Sequence, residues 1–357
     1  MTPDEAQEFR RSLREMEALY RARGRLFLLH LDLTWRCPLA CAHCYLGPRD
    51  PRHSQELPAR DWVSFLQQAR RRQVVRVVLS GGEPLLHPGF FEVLEACGAL
   101  GLAVLVKTTG WFPEDVPDRL CRIPFLSVDV SLHHLDPAVH DAFTGRPGSH
   151  RAAVATIEDC ARRGIPVRVT RSLVQGVPDD GGALRRWCEE RHLPLAESLV
   201  VLPVRAGERT AEASGRGGLA APLPEAQQRQ VLQRLVSGIR KVPAPSGPAE
   251  PLCSAGVTRL YVDPSGRISP CVAWPRPLGH LREGLGAVLR GPALREVRRV
   301  RQAHRDECRD CPLRATCDFC PGIAEAVTGS AVRPYPQACS KARILRDLLP
   351  DGREVPP

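Results

Sequence analysis

Short apolar runs alternate with helix-like segments from residue 25 to about residue 202. The predicted strands are Leu26–Leu33, Val74–Leu79, Ala103–Thr108, Phe125–Ser131, Val167–Leu173 and Glu197–Leu202. Helical patterns lie between them, among them Ala59–Arg71, Gly89–Ala99, His150–Arg163 and Gly182–Arg191. Strands that alternate with helices predict an α/β fold with a parallel sheet and helices outside it. A closed barrel of this type needs eight units. Six predict an open, partial (β/α)6 barrel. Ahead of it, Met1 to Tyr20 reads as an amphipathic helix with Phe9, Leu13, Met16 and Leu19 on one side. Behind it come a Gly-, Ala-, Arg- and Ser-rich loop over 203–222, a helix over Pro224–Lys241 and a Pro-rich linker, Val242–Pro248. Leu260–Ile268 then reads as a hairpin around a Pro-Ser-Gly turn. The expected division is an N-terminal helix (1–24), the partial barrel (25–202), a linker and helix (203–252), a small cysteine-rich domain (253–345) and a tail (346–357).

Chemistry gathers at the ends of the predicted strands. Cys37, Cys41 and Cys44 follow the first strand with spacing C-x3-C-x2-C. Three thiolates so spaced suit three corners of an iron–sulfur cubane, whose usual ligands are cysteines. The fourth iron then keeps an open position. Gly81-Gly82-Glu83-Pro84 follows the second strand. Two glycines let a backbone approach a ligand closely, and Glu83 can accept from a ligand amine. Functional sites of parallel α/β sheets lie at the carboxyl ends of the strands, so both motifs are expected on one face. Taken alone, the cysteine triplet also fits a zinc site, and Gly-Gly and Glu-Pro also mark ordinary turns.

The two motifs, in this order on successive strand–helix units, resemble those of the radical S-adenosylmethionine (radical SAM) enzymes. The resemblance covers residues 25 to about 202 and implies several expectations. Cys37, Cys41 and Cys44 would hold a 4Fe–4S cluster whose open iron is chelated by S-adenosylmethionine. Gly81, Gly82, Glu83 and Pro84 would hold its methionine part, with His43 and Tyr45, which flank the third cysteine, beside it. Ser131, at the end of the fourth strand, would lie near the ribose or methionine part. Many relatives have an acidic residue where His133 stands. Thr108 and Thr109 end the third strand and line the cavity. Arg171 either pairs with the cofactor carboxylate or belongs to a structural ion pair. Reductive cleavage of S-adenosylmethionine to a 5′-deoxyadenosyl radical is the implied chemistry. Val139–Gly145 also resembles the family, but by itself it reads as a helix ending at Gly145.

Seven further cysteines follow the linker: Cys253 and Cys271 around the hairpin, then Cys308, Cys311, Cys317 and Cys320 as C-x2-C-x5-C-x2-C, then Cys339. Two C-x2-C pairs can hold zinc tetrahedrally. The whole array, over 253 to about 345, resembles the SPASM domain, which implies two auxiliary 4Fe–4S clusters. The last spacing is x2, where x3 is commoner. By the family's interleaved pattern Cys253, Cys271 and Cys320 would bind the first auxiliary cluster, and Cys308, Cys311, Cys317 and Cys339 the second. Seven cysteines leave one of eight positions open or filled by another donor. Cys97, Cys121, Cys160 and Cys188 read as core.

Charge and composition narrow the partners. The chain has 357 residues, a net charge of +10, and lysine only at 107, 241 and 341. Its arginines are scattered without aromatic interleaving, which reads as solvated surface rather than as a nucleic-acid site. An acidic flavodoxin- or ferredoxin-like electron donor fits such a surface. No apolar run is long enough to span a bilayer, and the N-terminus lacks the apolar core of a signal peptide. A cytoplasmic setting is expected, with the 14 cysteines serving metal or catalysis rather than disulfides. The resemblance implies an oxidoreductase that modifies, by crosslinking, a ribosomally synthesised peptide. Only 36 residues precede Cys37, so leader recognition is expected from a separate leader-peptide-binding protein or from the catalytic domain itself. The alternatives are a sulfatase-maturing or porphyrin/cofactor-biosynthesis enzyme with the same cofactors, or a zinc-stabilised, non-catalytic binding module.

Overall fold

The computed structural model describes residues 3–46, 55–111, 116–175, 177–200, 202, 222–236, 247 and 249–349. The predicted loop over 203–222 and the Pro-rich linker fall outside them, save Pro222 and Gly247. Six parallel strands form where the apolar runs predict them. They are β1 (Leu28–Thr34), β2 (Arg76–Gly81), β3 (Ala103–Thr108), β4 (Leu126–Ser131), β5 (Val167–Ser172) and β6 (Leu195–Ser198), paired in sequence order. The last begins and ends earlier than expected, because its ladder partner β5 stops at Ser172, opposite Ser198.

Side chains on a strand alternate between its two faces, and here the alternation sorts apolar from polar. Leu29, Leu31 and Leu33 of β1, Val104 and Val106 of β3, Val128 and Val130 of β4, and Val167 and Val169 of β5 all enter the main hydrophobic core. Helices cover that face. Ala59–Arg71 shows how: Trp62, Phe65, Leu66 and Ala69 recur at helical spacing and are buried. The other face carries His30, Ser80, Lys107, Asp129, Arg168 and Thr170, which line a cleft.

The sheet does not end at β1. Beyond the linker β7 (Arg259–Val262) pairs parallel to β1, and β8 (Arg267–Ser269) and β9 (Gly279–His280) follow antiparallel. The hairpin that sequence places in a separate domain therefore continues the same nine-stranded sheet. Its turn is built by Asp263, whose Oδ1 accepts from the Ser265 and Arg267 amides, each at 3.0 Å.

The N-terminal helix, Pro3–Ala22, packs through Phe9, Leu13 and Tyr20 against Phe27 and Ala103. Met16 and Leu19, expected on that apolar side, are exposed. Tyr20 takes the place in the contact that Leu19 was expected to fill. Cys97, Cys160 and Cys188 lie in the core, but Cys121 is exposed and its thiol donates to the Asp118 carbonyl.

Candidate functional site

The cysteine loop leaves the end of β1 and is held on three sides. Glu56 accepts from the Thr34 hydroxyl, the Trp35 amide at 2.9 Å and the Arg36 guanidinium at 2.7 Å. The amides of Ala40 and Ala42 donate to the carbonyls of Thr144 and Phe143. Those carbonyls end the helix Pro137–Thr144, which stops at Gly145 in the left-handed conformation. The segment Val139–Gly145 thus latches the loop.

The glycine pair closes the third side. Gly82 N donates to the Thr34 carbonyl and Glu83 N to that of Arg36. Gly81 has φ +129°, and a Cβ there would lie 2.5 Å from the Thr34 oxygen. A Cβ on Gly82 would lie 2.3 Å from the Arg36 oxygen and 3.0 Å from the Cys37 Cβ. Both glycines are required by the approach of the cysteine loop itself.

Cys37, Cys41 and Cys44 line the cleft together with Gly81, Gly82, His43, Tyr45, Thr108 and Ser131. Its volume is about 500 Å³, within the usual range for small-molecule sites. The three thiols are close enough that burial, then Cys44 and Cys37, push Cys41 up from the ordinary thiol value. His43 stacks on Phe143, ring centroids 4.9 Å apart, and meets the His133 ring edge-on at 5.0 Å. Burial holds His43 down to about 4, so its ring is neutral at pH 7. Tyr45 donates to Asp32 Oδ2 at 2.9 Å.

Asp32 is a site residue that sequence reasoning missed. It is fully buried on the inner face of β1, accepts from the hydroxyls of Tyr45 and Tyr261, and has His30 Nε2 3.2 Å from Oδ1. Burial alone would raise its carboxyl, but His30 and the two tyrosines outweigh it and hold it below the usual range. The signal was present as His30 and Asp32 at period two inside an apolar run. The inner face also carries a pair across β4 and β5: Arg168 Nε and Nη2 bond Asp129 Oδ1 and Oδ2 at 2.8 and 2.6 Å.

Two expected ligand contacts are corrected. Glu83 is fully buried and does not line the cleft. Its carboxylate accepts from Thr108 Oγ1 at 2.9 Å and from the amide and hydroxyl of Thr109 at 2.8 and 2.7 Å. Burial still pushes its carboxyl above the usual range. Glu83 thus ties β2 to the end of β3 from behind the site, and Pro84, next to it, is buried as well. Arg171 shares the face of Val169. Its guanidinium bonds Asp180 and Glu197, each at 2.6 Å, and all three side chains are at most 5% exposed. It is a structural ion pair rather than a free anion receptor. Of the three lysine and arginine residues that border the cleft, Arg168 and Arg171 are therefore committed. Lys107 is exposed to the cleft and has no hydrogen bond or ion pair among the described residues.

The C-terminal cysteines fall into two groups. Cys271 feels Cys253 and Cys320, and burial and those neighbours push it up to about 12. Val272, beside it, lines the cleft wall. Cys308, Cys311, Cys317 and Cys339 line a second, smaller cavity with Arg305 and Phe319. There burial raises Cys317 and Cys339, and Cys308 adds to both shifts. Among the described residues no three His, Cys, Asp or Glu side chains close on a single metal ion.

Comparison with known proteins agrees with this arrangement. The profile of the Radical SAM superfamily matches residues 32–184, and that of the SPASM iron–sulfur cluster-binding domain matches 253–312. The sporulation killing factor maturation protein SkfB of Bacillus subtilis is 26% identical over 274 residues, 74% of this chain and 64% of that protein. A PqqA peptide cyclase of Streptomyces rochei is 28% identical over 330 residues, 87% of this chain and 88% of that one. In fold, the chain is similar to Streptococcus suis SuiB, solved bound to the precursor peptide SuiA. The TM-score is 0.68 at 17% identity, over 91% of this chain and 79% of SuiB. The two domain types imply 4Fe–4S clusters and S-adenosylmethionine as cofactors. With its cysteine loop on the cleft and its second cysteine set along the same sheet, the chain is a radical SAM protein with a C-terminal SPASM domain.

Proposed function

We propose that this chain is a radical SAM maturase that oxidatively crosslinks a ribosomally synthesised peptide. The observation that carries the reading is the joint opening of Cys37, Cys41, Cys44 and the Gly81–Gly82 backbone into one cleft of about 500 Å³. Cys37, Cys41 and Cys44 hold the cluster. When bound, it supplies the electron that cleaves S-adenosylmethionine to a 5′-deoxyadenosyl radical. Gly81 and Gly82 pass the methionine part along their backbone, and Ser131 faces the ribose side. His43, neutral and packed on Phe143, and Tyr45, tied to Asp32, form a fixed wall. With Arg171 committed elsewhere, Lys107 takes the cofactor carboxylate.

Cys253, Cys271 and Cys320 hold a first auxiliary cluster with one position left for another donor. Cys308, Cys311, Cys317 and Cys339 hold a second. Tetrahedral zinc needs four donors about 2.3 Å from one point. The match of the SPASM iron–sulfur cluster-binding domain over 253–312 supports clusters there instead. Val272 lines the cleft wall next to Cys271, which supports a first set close to the substrate and an oxidative outcome. A peptide substrate is supported by the relatives: a peptide cyclase, a killing-factor maturation protein and a protein bound to its precursor peptide. An acidic flavodoxin- or ferredoxin-like donor, a separate leader-binding protein, a cytoplasmic setting and unit boundaries near 24, 202, 252 and 345 complete the reading. Among the described residues no helix is long and apolar enough to cross a membrane.

The test is anaerobic co-expression with short peptides encoded beside the gene, read by mass spectrometry. Loss of two hydrogens from one peptide, abolished by Cys41→Ala, is the expected result. No mass change in any of them leaves a mass-neutral epimerisation or else moves the substrate to a sulfatase, a porphyrin or another small molecule, and zinc without sulfide in the purified protein ends the radical mechanism.

A further inference from the structure

Arg305 lines the smaller cavity together with its four cysteines, and its surroundings are unusual for a buried cation. The residue is 8% exposed. Its guanidinium donates through Nη2 to Cys317 Sγ at 3.7 Å and rests over the Phe319 ring, 4.1 Å from the centroid. Nε is buried with no hydrogen-bond partner. No carboxylate pairs with it among the described residues. The acids next to it are engaged elsewhere: Asp306 with Arg309 at 2.6 Å, and Glu307 with Arg333 at 3.4 Å.

Burying a cation without an anion is costly. The protein places that charge beside four cysteines, where a bound cluster would bring the missing negative charge. The first set differs. Arg259, which acts on Cys253 from a distance, is paired with Glu17 at 2.9 Å, and Arg21 donates to Ser254.

We infer that Arg305 is a positioning residue that holds an uncompensated positive charge and a hydrogen bond against Cys317, and so raises the reduction potential of the cluster in the second auxiliary site. Net charge, hydrogen bonds to the sulfurs and solvent exposure are what set such potentials. Gaining one electron adds one negative charge, and a nearby guanidinium stabilises that reduced state over the oxidised one. Phe319 keeps water off the guanidinium and strengthens the effect. The inference rests on reading this set as an iron–sulfur site.

The experiment is a potentiometric titration of the reconstituted full-length protein, followed by electron paramagnetic resonance, with iron and sulfide counted in parallel. The signals are assigned through Cys41→Ala and Cys271→Ala. Arg305→Gln keeps a polar side chain near Cys317 but removes the charge. It should lower one midpoint potential and leave the other two in place, with iron content unchanged. Arg305→Lys should restore most of the shift. Loss of the second cluster from Arg305→Gln but not from Arg305→Lys would show the same charge dependence at assembly. Unchanged midpoints in Arg305→Gln at full iron content would overturn the inference. So would loss of the same cluster from both variants, which would make Arg305 merely structural. Absence of iron and sulfide from the wild-type protein would instead overturn the functional reading itself, and this inference with it.

Discussion

The two faces of one sheet carry two different kinds of cation. Arg171 borders the cleft, but its side chain, on the face of core Val169, sits between Asp180 and Glu197 and is closed to solvent. On the inner face Lys107 projects into the cleft with no partner among the described residues. They stand two strands apart, and their difference follows from strand parity. Arg171 is two residues from core Val169, whereas Lys107 follows core Val106. A cation on the outer face must be neutralised by the protein to be buried at all. A cation on the inner face can be left for a ligand to neutralise.

Four variants test that contrast. The largest effect is expected from Arg171→Met, which leaves buried Asp180 without its ion-pair partner and Glu197 with Arg185 alone. It should cost about 3–5 kcal/mol, read by thermal or urea unfolding, and should leave S-adenosylmethionine affinity in the surviving folded protein unchanged. Lys107→Met should do the reverse. Losing a charge-assisted contact weakens S-adenosylmethionine binding by roughly 10- to 100-fold, or about 1.5–3 kcal/mol, in calorimetric titration, with stability intact. If both variants lower stability alone, the inner cation is structural too.

Gly82→Ala tests the junction of the faces at the cysteine loop. Its new Cβ meets the Arg36 oxygen, an overpacking of about 1–3 kcal/mol. The loop should move off β2, with iron lost at the first site and retained by the C-terminal cysteines. Equal loss at all sites would mean general unfolding.

The smallest effect concerns acid. Asp32 has its folded-state value below the unfolded one. The stability it contributes is therefore complete above about pH 4 and is lost as the pH falls through the folded value. Asp32→Asn should flatten the dependence of Tm on pH in that acid range. An unchanged slope would assign the acid sensitivity to other carboxylates.

Much of this architecture could be read from the chain. The helix Ala59–Arg71 and the strand Ala103–Thr108 form at the residues predicted: the helix buries one apolar face, and the strand is an apolar run buried on both. Cys253, Cys271 and Cys320 group apart from Cys308, Cys311, Cys317 and Cys339, a division that the SPASM resemblance implies and that the spacing of the two C-x2-C pairs alone does not. What escaped was facing and partnership. Arg171 and Glu83 are polar residues near strand ends, and only the ladder shows that Glu197 lies opposite one and that the Thr108 and Thr109 hydroxyls reach the other. Arg305 precedes two acids in sequence, which makes it look paired. The fold turns both acids toward other arginines.

The pairing of β7 with β1 has a consequence for how this protein can be taken apart. Two family profiles meet in the chain, but their boundary is not a seam in the sheet. A chain cut ahead of Cys253 would leave Leu28–Leu31 as a bare edge, its amides and carbonyls stripped of the Arg259–Val262 ladder. Exposed edges of that kind invite pairing with another molecule. The strand so exposed is the one that feeds Cys37. The C-terminal region is thus a stave of the barrel wall rather than an attachment. An exchange of this region between relatives would have to carry over the edge of β1 along with the cysteines.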